Sequence, residues 1–381
     1  MKQNIIMVSH HLGGIGGVQK VVDQLAHRFA EDGNVVTVIG CGVQKKGIFQ
    51  AEQKNYKEIL LYDEDIFFTK PWLFFSEKYL HRKLEKTLRK MLDSLDTATV
   101  ILTNPVVYLL MEKVIKDYNH KVTFIGQMHN SADYVFECKG AFKVYPYIIK
   151  NKYRHLDHVL FLTNGDAERV ALAYQFPSQQ VSAIANPISK EKHYQFDRTV
   201  VNENEIVFIG RLDVIKQLDH LVHVVGLLAE KYPKLHCSIY GTGPEEERLK
   251  ELIQSQGLTN QITLQGFTTD AEGVFRQSLF SVLTSHREGF PISMLESIMN
   301  SSPVLSYNCS PGVELIQAGS PELLVELDNV DAFAAKMDEL LQDRTYLEKL
   351  AKKSFTYVND TFSENAIVAE WYQLIERMKK M

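Results

Sequence analysis

Two glutamates, Glu288 and Glu296, stand with seven residues between them in SHREGFPISMLES (285–297). The apolar run LFSVLT (279–284) leads in as a buried strand, so Glu288 falls in the loop past its end. Gly289 and Pro291 shape that loop, and a helix is expected to start near Ser293. Its first amides, from about Ser293 through Met294 to Leu295, lack intrahelical acceptors and favour an anion. Glu296, one turn in, has the reach to accept two hydrogen bonds from a vicinal diol such as a ribose. Glu288 would face whatever the phosphates carry. Taken singly, either carboxylate has a plainer use as a helix-dipole partner or a surface charge.

Two further stretches carry chemistry. GRLDVIKQLDHL, opening on Gly210, follows the strand-like EIVFI (205–209). That places Arg211 and Lys216 at the carboxyl end of a parallel strand, where open α/β sheets bind ligands. Arg grips phosphate with a planar fork and Lys acts as a point charge, so the pair suits a diphosphate. HHLGGIGGVQK (10–20) is a glycine-rich turn into a helix, including Gly16 and Gly17, and offers bare amides to an anion or a sugar hydroxyl. It is a poor dinucleotide fingerprint. Gln19 stands where a third small residue belongs, and the second strand ends in GCG without a ribose-binding carboxylate.

The elements that must position these groups alternate. Strand-length runs fall at 4–8, 35–39, 99–102, 121–125 and 158–162, then again at 205–209, 235–239, 261–264, 279–284 and 303–307. They are rich in β-branched residues and read as strands buried on both faces. Helical stretches such as 18–32 and 218–232 separate them. Strand–helix–strand alternation predicts parallel sheets with right-handed crossovers. The alternation restarts after the polar segment RTVVNENE (198–205). The expected architecture is therefore α/β, with Rossmann-like domains at 1–192 and 193–364 and a helix at 365–381 packing back on the first.

The bulk numbers agree with a globular protein of two domains: 381 residues, 45% hydrophobic and 23% charged. No run is long and apolar enough for a spanning helix, and the N-terminus reads as a first strand rather than a signal peptide. Cys41, Cys138, Cys237 and Cys309 lack metal-ligand spacing and read as reduced thiols of a cytoplasmic protein. Residues 1–190 carry 24 Lys+Arg against 19 Asp+Glu, and the remainder 18 against 28. A basic first half and an acidic second half suggest units with different partners. A sequence pI of about 6.2 and the lack of any recognised module speak against nucleic acid.

Together these stretches resemble the retaining nucleotide-sugar glycosyltransferases of the GT-B fold, in the large group called family 4. The likeness rests on the Glu288-Gly-Phe-Pro…Glu296 stretch, the GRL…K stretch, the GIGGV loop and the two-unit layout. ANPIS (185–189), YGTGPEEERL (240–249) and LQGF (264–267) add to it. The resemblance implies two domains facing across a cleft, with the donor mostly on the second. By matching motif, Arg211 and Lys216 would bind the diphosphate, Glu288 the sugar hydroxyls and Glu296 the ribose. Main-chain groups near Phe290, Ser293, Met294 and Leu295 would line the sugar and phosphates. Gly241 belongs to the matching glycine turn, Phe267 to the base-contacting region and Asn186 to the turn before the linker. Gly16 and Gly17 would approach from the first domain. His129, in TFIGQMHNS, matches a histidine that contacts the transferred sugar. Catalytic roles fall on Glu288, His129, Arg211 and Lys216. Two positions depart from the family: Gln19 where Glu is usual, and Gln217 where Gly often follows the lysine.

The family expectation is a front-face attack with the leaving phosphate taking the acceptor proton, and with no metal or other cofactor. Asp63 and Asp65 in LLYDEDIFF form a D-x-D pair that holds a divalent metal in the other main glycosyltransferase fold. That fold would leave the 205–307 series unexplained, so the pair reads as a surface loop. UDP is favoured as the nucleotide on frequency alone. The expected partners are a nucleoside-diphosphate sugar and a glycan, lipid-linked or protein acceptor, with an oligomer of like or unlike chains left open. The basic, aromatic stretches 70–95 and 146–158 suggest peripheral contact with an anionic membrane, or simply a solvated helix face. A nucleotide-sugar epimerase and a non-catalytic partner subunit are the rival readings.

Overall fold

The computed structural model describes residues 2–12, 17–43, 54–62, 78–137, 144–188, 194 and 201–380. Gly16, Cys138, the D-x-D stretch 63–65 and the segment 70–77 lie outside them. The chain divides into unit 1 (Met1–Pro187 with Ile367–Met381) and unit 2 (Ile188–Ala366). The first crossing thus falls five residues before the expected 192. The second falls inside the last helix, after Ala366.

Unit 1 runs β1 (Asn4–Leu12), α1 (Gly17–Glu31), β2 (Val35–Val43), β3 (Lys57–Leu60), α2 (Lys78–Leu92), β4 (Ala98–Leu102), α3 (Pro105–Tyr118), β5 (Val122–Gln127), α4 (Ala132–Glu137), α5 (Val144–Asn151), β6 (His158–Phe161), α6 (Asn164–Tyr174) and β7 (Val181–Ala183). Its strands pair in parallel in the order β3-β2-β1-β4-β5-β6-β7. Strands β4, β5 and β6 are buried along their whole length. This is why they read as continuous apolar runs without alternation. One face of the sheet is covered by α2, α3 and α5, whose Leu84, Leu88, Leu92, Met111 and Ile148 join one core with Val100 and Phe124.

Unit 2 runs β8 (Asn202–Ile209), α7 (Leu218–Leu228), β9 (His236–Tyr240), α8 (Glu246–Ser255), β10 (Ile262–Gly266), α9 (Ala271–Gln277), β11 (Ser278–Leu283), α10 (Ile292–Met299), β12 (Val304–Tyr307), α11 (Pro311–Ile316), β13 (Leu324–Val325), α12 (Val330–Gln342) and α13 (Arg344–Phe362). Its sheet is also parallel, in the order β10-β9-β8-β11-β12-β13. β8 begins inside the polar segment expected to be linker. Its first three residues are exposed and only its second half is core.

The last helix, α14 (Glu364–Met378), belongs mostly to unit 1. Ile367, Val368, Trp371, Leu374 and Ile375 are buried at helical spacing, one apolar stripe. Trp371 meets the buried Phe29 of α1 edge to face at 6.2 Å. Tyr372 donates to Asp32 and accepts from Asn34, each at 2.9 Å. Deleting so large a buried ring as Trp371 would cost about 3–5 kcal/mol.

Candidate active site

In both sheets the strand order reverses next to the first strand of the unit, between β1 and β4 and between β8 and β11. Crossovers leave on opposite faces there, opening a crevice at the carboxyl ends. The chemistry-bearing loops of unit 2 leave from these two strands. Past β8 comes Gly210, then Arg211 and a 3-10 turn, Val214–Lys216. Past β11 comes the loop that holds Glu288.

A charged contact joins these loops. Lys216 Nζ lies 2.6 Å from Glu288 Oε1, with the side chains 20% and 12% exposed. Ser285 Oγ donates to the same carboxylate oxygen at 2.6 Å. The backbones are tied as well: Thr284 Oγ1 donates to the Lys216 carbonyl at 2.9 Å, and the His286 amide to the Ile215 carbonyl at 2.8 Å. Asp213 caps the turn by accepting from the Ile215 amide. A lysine ammonium has three donors, so the contact with Glu288 leaves capacity for phosphate oxygens. Arg211 is 71% exposed, with Nε 3.6 Å from Asp213 Oδ2.

Glycines let the backbones close in. Gly241 follows β9 at φ +136, and a Cβ built there would lie 1.8 Å from the Gly210 carbonyl oxygen. At Gly243 it would lie 2.0 Å from the Leu212 carbonyl oxygen. The GTG turn thus packs backbone to backbone on Gly210 and Leu212, the residues on either side of Arg211. Gly312 of α11 does the same for the Glu288 loop, its virtual Cβ 1.8 Å from the Gly289 carbonyl oxygen. Phe290 is buried and packs edge to face on Phe362 at 5.4 Å, so only its main chain is available to a ligand.

Helix α10 starts at Ile292, one residue earlier than expected, with Pro291 as its N-cap. The free amides differ from the sequence expectation. Met294 N and Leu295 N donate to the Pro291 carbonyl at 3.1 and 3.4 Å. The Pro291 carbonyl closes the first turn tightly, so the amides left without an intrahelical acceptor are those of the first two helical positions, Ile292 and Ser293. Glu296 is half-buried one turn in. The helix is fastened to β11 by Ser297, which lies 2.7 Å from Ser281 Oγ and donates to the Ser302 carbonyl at 2.7 Å. Phe267, just past β10, is 52% exposed and presents an open aromatic face at the same edge of the sheet.

The equivalent edge of unit 1 is rich in histidine. β1 extends past its expected end through Ser9, His10 and His11. The His10 and His11 rings have centroids 4.4 Å apart. His129 lies two residues beyond β5, and both its ring nitrogens are shielded from solvent without a partner among the described residues. Burial lowers its pKa to about 4. Burial, with repulsion from His11 and His129, lowers that of His10 to about 3. Both imidazoles are neutral at pH 7 and can donate and accept. Buried Ser9 Oγ, Gln127 Oε1 and Asn186 Oδ1 also lack partners among the described residues. Gly17 opens α1 and is exposed.

These histidines predict an acid weakness. His10, His129 and His158, the last lowered to about 4 by burial, bind protons in the unfolded chain near pH ~6.5 but not in the folded one. Their contribution is full above that pH and lost as pH falls through about 4. The loss is on the order of 1–2 kcal/mol per histidine by pH ~5. Urea titrations at pH ~7 and pH ~5 should show a clearly lower midpoint at the acid pH, and equal midpoints would contradict the assignment.

The sequence reading missed Thr284, Ser285, His10, Gly243 and Gly312. Ser285 was visible three residues before Glu288. Gly312 could be found only in three dimensions. Cys309 reads in the sequence as an ordinary thiol. It lies near enough to Glu288 and Lys216 for both charges to act on it, but burial pushes it up to about 12 and leaves it inert.

Residues 15–192 match the family model described as Glycosyltransferase Family 4, and residues 189–356 the model described as Glycosyl transferases group 1. The chain belongs to these glycosyltransferases and has their GT-B fold. An uncharacterized glycosyltransferase of Haemophilus influenzae is 26% identical over 95% of this chain and 96% of its own. The poly(glycerol-phosphate) alpha-glucosyltransferase of Bacillus subtilis is 26% identical over 61% of this chain and 35% of its own length. For the poly(ribitol-phosphate) alpha-N-acetylglucosaminyltransferase of Staphylococcus aureus the figures are 26%, 67% and 51%. The chain therefore spans only between about a third and a half of those two relatives. Among solved structures, a S. aureus TarM variant with UDP superposes at a TM-score of 0.77, with 15% identity over 98% of this chain and 99% of its own. Anabaena HepE with UDP and glucose gives 0.79, with 15% identity over 98% and 100%.

Proposed function

We propose that the chain is a retaining transferase. It moves a hexose or N-acetylhexosamine from a nucleoside-diphosphate sugar, UDP favoured, to a glycan, lipid-linked or protein acceptor during the making of cell-surface polysaccharide or glycoconjugate. The observation that carries this reading is the Lys216–Glu288 contact, 2.6 Å long, between the loops that leave β8 and β11 at the reversal of strand order. It sets a cation for phosphate beside a carboxylate for sugar hydroxyls. Support for the nucleotide and the stereochemistry comes from elsewhere. HepE and TarM were solved with UDP, and two relatives are named alpha-transferases. An α-linked donor gives an α-linked product by retention.

In this reading Arg211, Lys216 and the amides of Ile292 and Ser293 bind the diphosphate. Glu296 accepts from the ribose diol and Phe267 lies against the base. Glu288 holds the sugar hydroxyls, turned by its bonds from Ser285 and Lys216. As the bond from the anomeric carbon to the phosphate oxygen breaks, its electron pair passes to the diphosphate, and the fixed positive groups stabilise that charge. The acceptor oxygen bonds to the anomeric carbon on the face being vacated, and its proton passes to the departing phosphate oxygen. Two cations supply what a metal would otherwise supply, so no metal is needed. His129 of unit 1, kept neutral by burial, is able to donate and accept a hydrogen bond without adding charge.

A thermal-shift and calorimetric screen with UDP, GDP and ADP, in EDTA, tests this. UDP at about a hundredfold over its Kd should stabilise unit 2 by about 2.7 kcal/mol. A chain that binds none of the three would sink the reading.

Membrane contact is proposed in a restricted form. Helix α2 buries Leu84, Leu88 and Leu92 in the core of unit 1, while Arg82, Lys83, Lys86 and Lys90 are exposed. Among its described side chains the apolar stripe is already used, so the association with anionic lipid proposed here is electrostatic. No helix among the described residues is long and apolar enough to cross a membrane. Sedimentation with anionic vesicles is expected at about 0.05 M salt and lost at about 0.5 M, where the Debye length is a few ångströms. Binding that survives the higher salt would contradict a purely electrostatic surface.

A further inference from the structure

In unit 2, two residues that are not glycine occupy the left-handed backbone region near the Lys216 turn: Gln217 at φ 44 and Asp328 at φ 63. Residues with a Cβ rarely adopt it. Gln217 directly follows Lys216 and is the N-cap of α7, without a side-chain capping bond. Asp328 sits in the turn between β13 and α12. The two are linked by their side chains, Gln217 Nε2 donating to Asp328 Oδ1 at 2.9 Å. The other carboxylate oxygen lies 3.5 Å from His286 Nδ1, and the His286 amide donates to the Ile215 carbonyl. A closed brace results: turn 214–216, Gln217, Asp328, His286, and back to the turn.

A glycine at 217 would take the left-handed conformation freely but could not reach Asp328. Glutamine trades backbone ease for a side-chain tether, and that tether ends one residue from the lysine that faces Glu288. Lys216 itself is flanked by fixed points. Its amide donates to the Asp213 carbonyl and its own carbonyl accepts from Thr284 Oγ1. Gln217 closes the turn, its amide donating to the Val214 carbonyl and its carbonyl accepting from the His220 amide, and its side chain adds a tie from there to Asp328.

We infer that Gln217 is a positioning residue: through Asp328 it fixes the backbone that carries Lys216 and so sets how tightly the site holds a diphosphate. This deepens the donor reading above and rests on it. The Gln217 Oε1 is buried without a partner among the described residues. Gln217→Glu therefore keeps the shape but turns the donating amide into a carboxylate facing Asp328. Asp328→Asn restores a donor to that pair.

The probe is UDP, followed by isothermal titration calorimetry on the full chain, with thermal melts to confirm folding. Gln217→Glu should weaken UDP binding roughly tenfold. Gln217→Glu combined with Asp328→Asn should return to within about twofold of the starting affinity. In a Lys216→Ala background, Gln217→Glu should cause no further loss, because its effect passes through the lysine. A merely structural role predicts the same loss with or without Lys216, and that result would overturn the inference. So would wild-type affinity in Gln217→Glu, or failure of the double variant to recover while its melt is normal. If the unaltered chain binds none of UDP, GDP and ADP, the donor reading fails, and this inference with it. UDP binding with an indifferent Gln217 refutes only the brace.

Discussion

Lys216→Ala should lower transfer from a nucleoside-diphosphate sugar by roughly a thousandfold in kcat, with a smaller rise in KM. The asymmetry follows from where the charge is needed. In the proposed donor complex the diphosphate is already anionic and would be shared with Arg211 and the helix amides. Further negative charge develops only as the glycosidic bond breaks, so removing one fixed cation raises the barrier more than it weakens binding. The substitution also leaves Glu288, only 12% exposed, with Ser285 as its remaining recorded partner. That should cost about 1–2 kcal/mol of stability, less than for a fully buried pair because both side chains keep some solvent. Glu288→Gln separates the two effects. It keeps Ser285 as a partner and frees the ammonium, so folding should be near normal while turnover falls by about a hundredfold or more. Single-turnover rates together with urea melts read both quantities. Near-normal turnover in either folded variant would refute the assigned roles.

Gly241→Ala is the second large effect, on folding as well as on chemistry. The added methyl would meet the Gly210 carbonyl oxygen at 1.8 Å, with the backbone held at φ +136. No rotamer relieves a Cβ clash, so β9 or the start of the Arg211 loop must move. A loss of about 3 kcal/mol or more is expected from strain and displacement together. Any surviving folded protein should also bind UDP poorly, because the backbone displaced is the one that leads into Arg211. A melting temperature within a few degrees of the unaltered chain, with normal affinity, would show that the two turns do not pack as described.

Much of this was legible in the sequence, for a physical reason. Central strands of parallel sheets are buried on both faces, and β4, β5 and β11, buried along their whole length, stand out as mostly apolar runs without alternation. The strands that escaped notice lie on or near the sheet edges. β3 is the mostly exposed Lys57–Leu60, β7 has three half-buried residues and β13 only two. Short strands with an open side need few apolar residues, so pattern is silent there. Glu288, Lys216, Arg211 and Glu296 were found because glycine, proline and a preceding apolar run mark loops at carboxyl ends. Their mutual contact was not legible. Lys216 and Glu288 are 72 positions apart and meet only because β8 and β11 are sheet neighbours. The excess of expected free amides had a local cause: the Pro291 carbonyl doubles as acceptor for Met294 and Leu295. Gln217 registered as a departure from the usual glycine, but its tether to Asp328 needed coordinates.

Helix α14 is translated after the whole of unit 2, yet its buried stripe completes unit 1. While the ribosome makes residues 188–366, the inner face of α1 around Phe29 has no Trp371 to cover it. At about 5–20 residues per second that interval is on the order of ten to forty seconds. Unit 2 has time to fold on the growing chain, whereas unit 1 must wait with apolar surface open to whatever holdase is at hand.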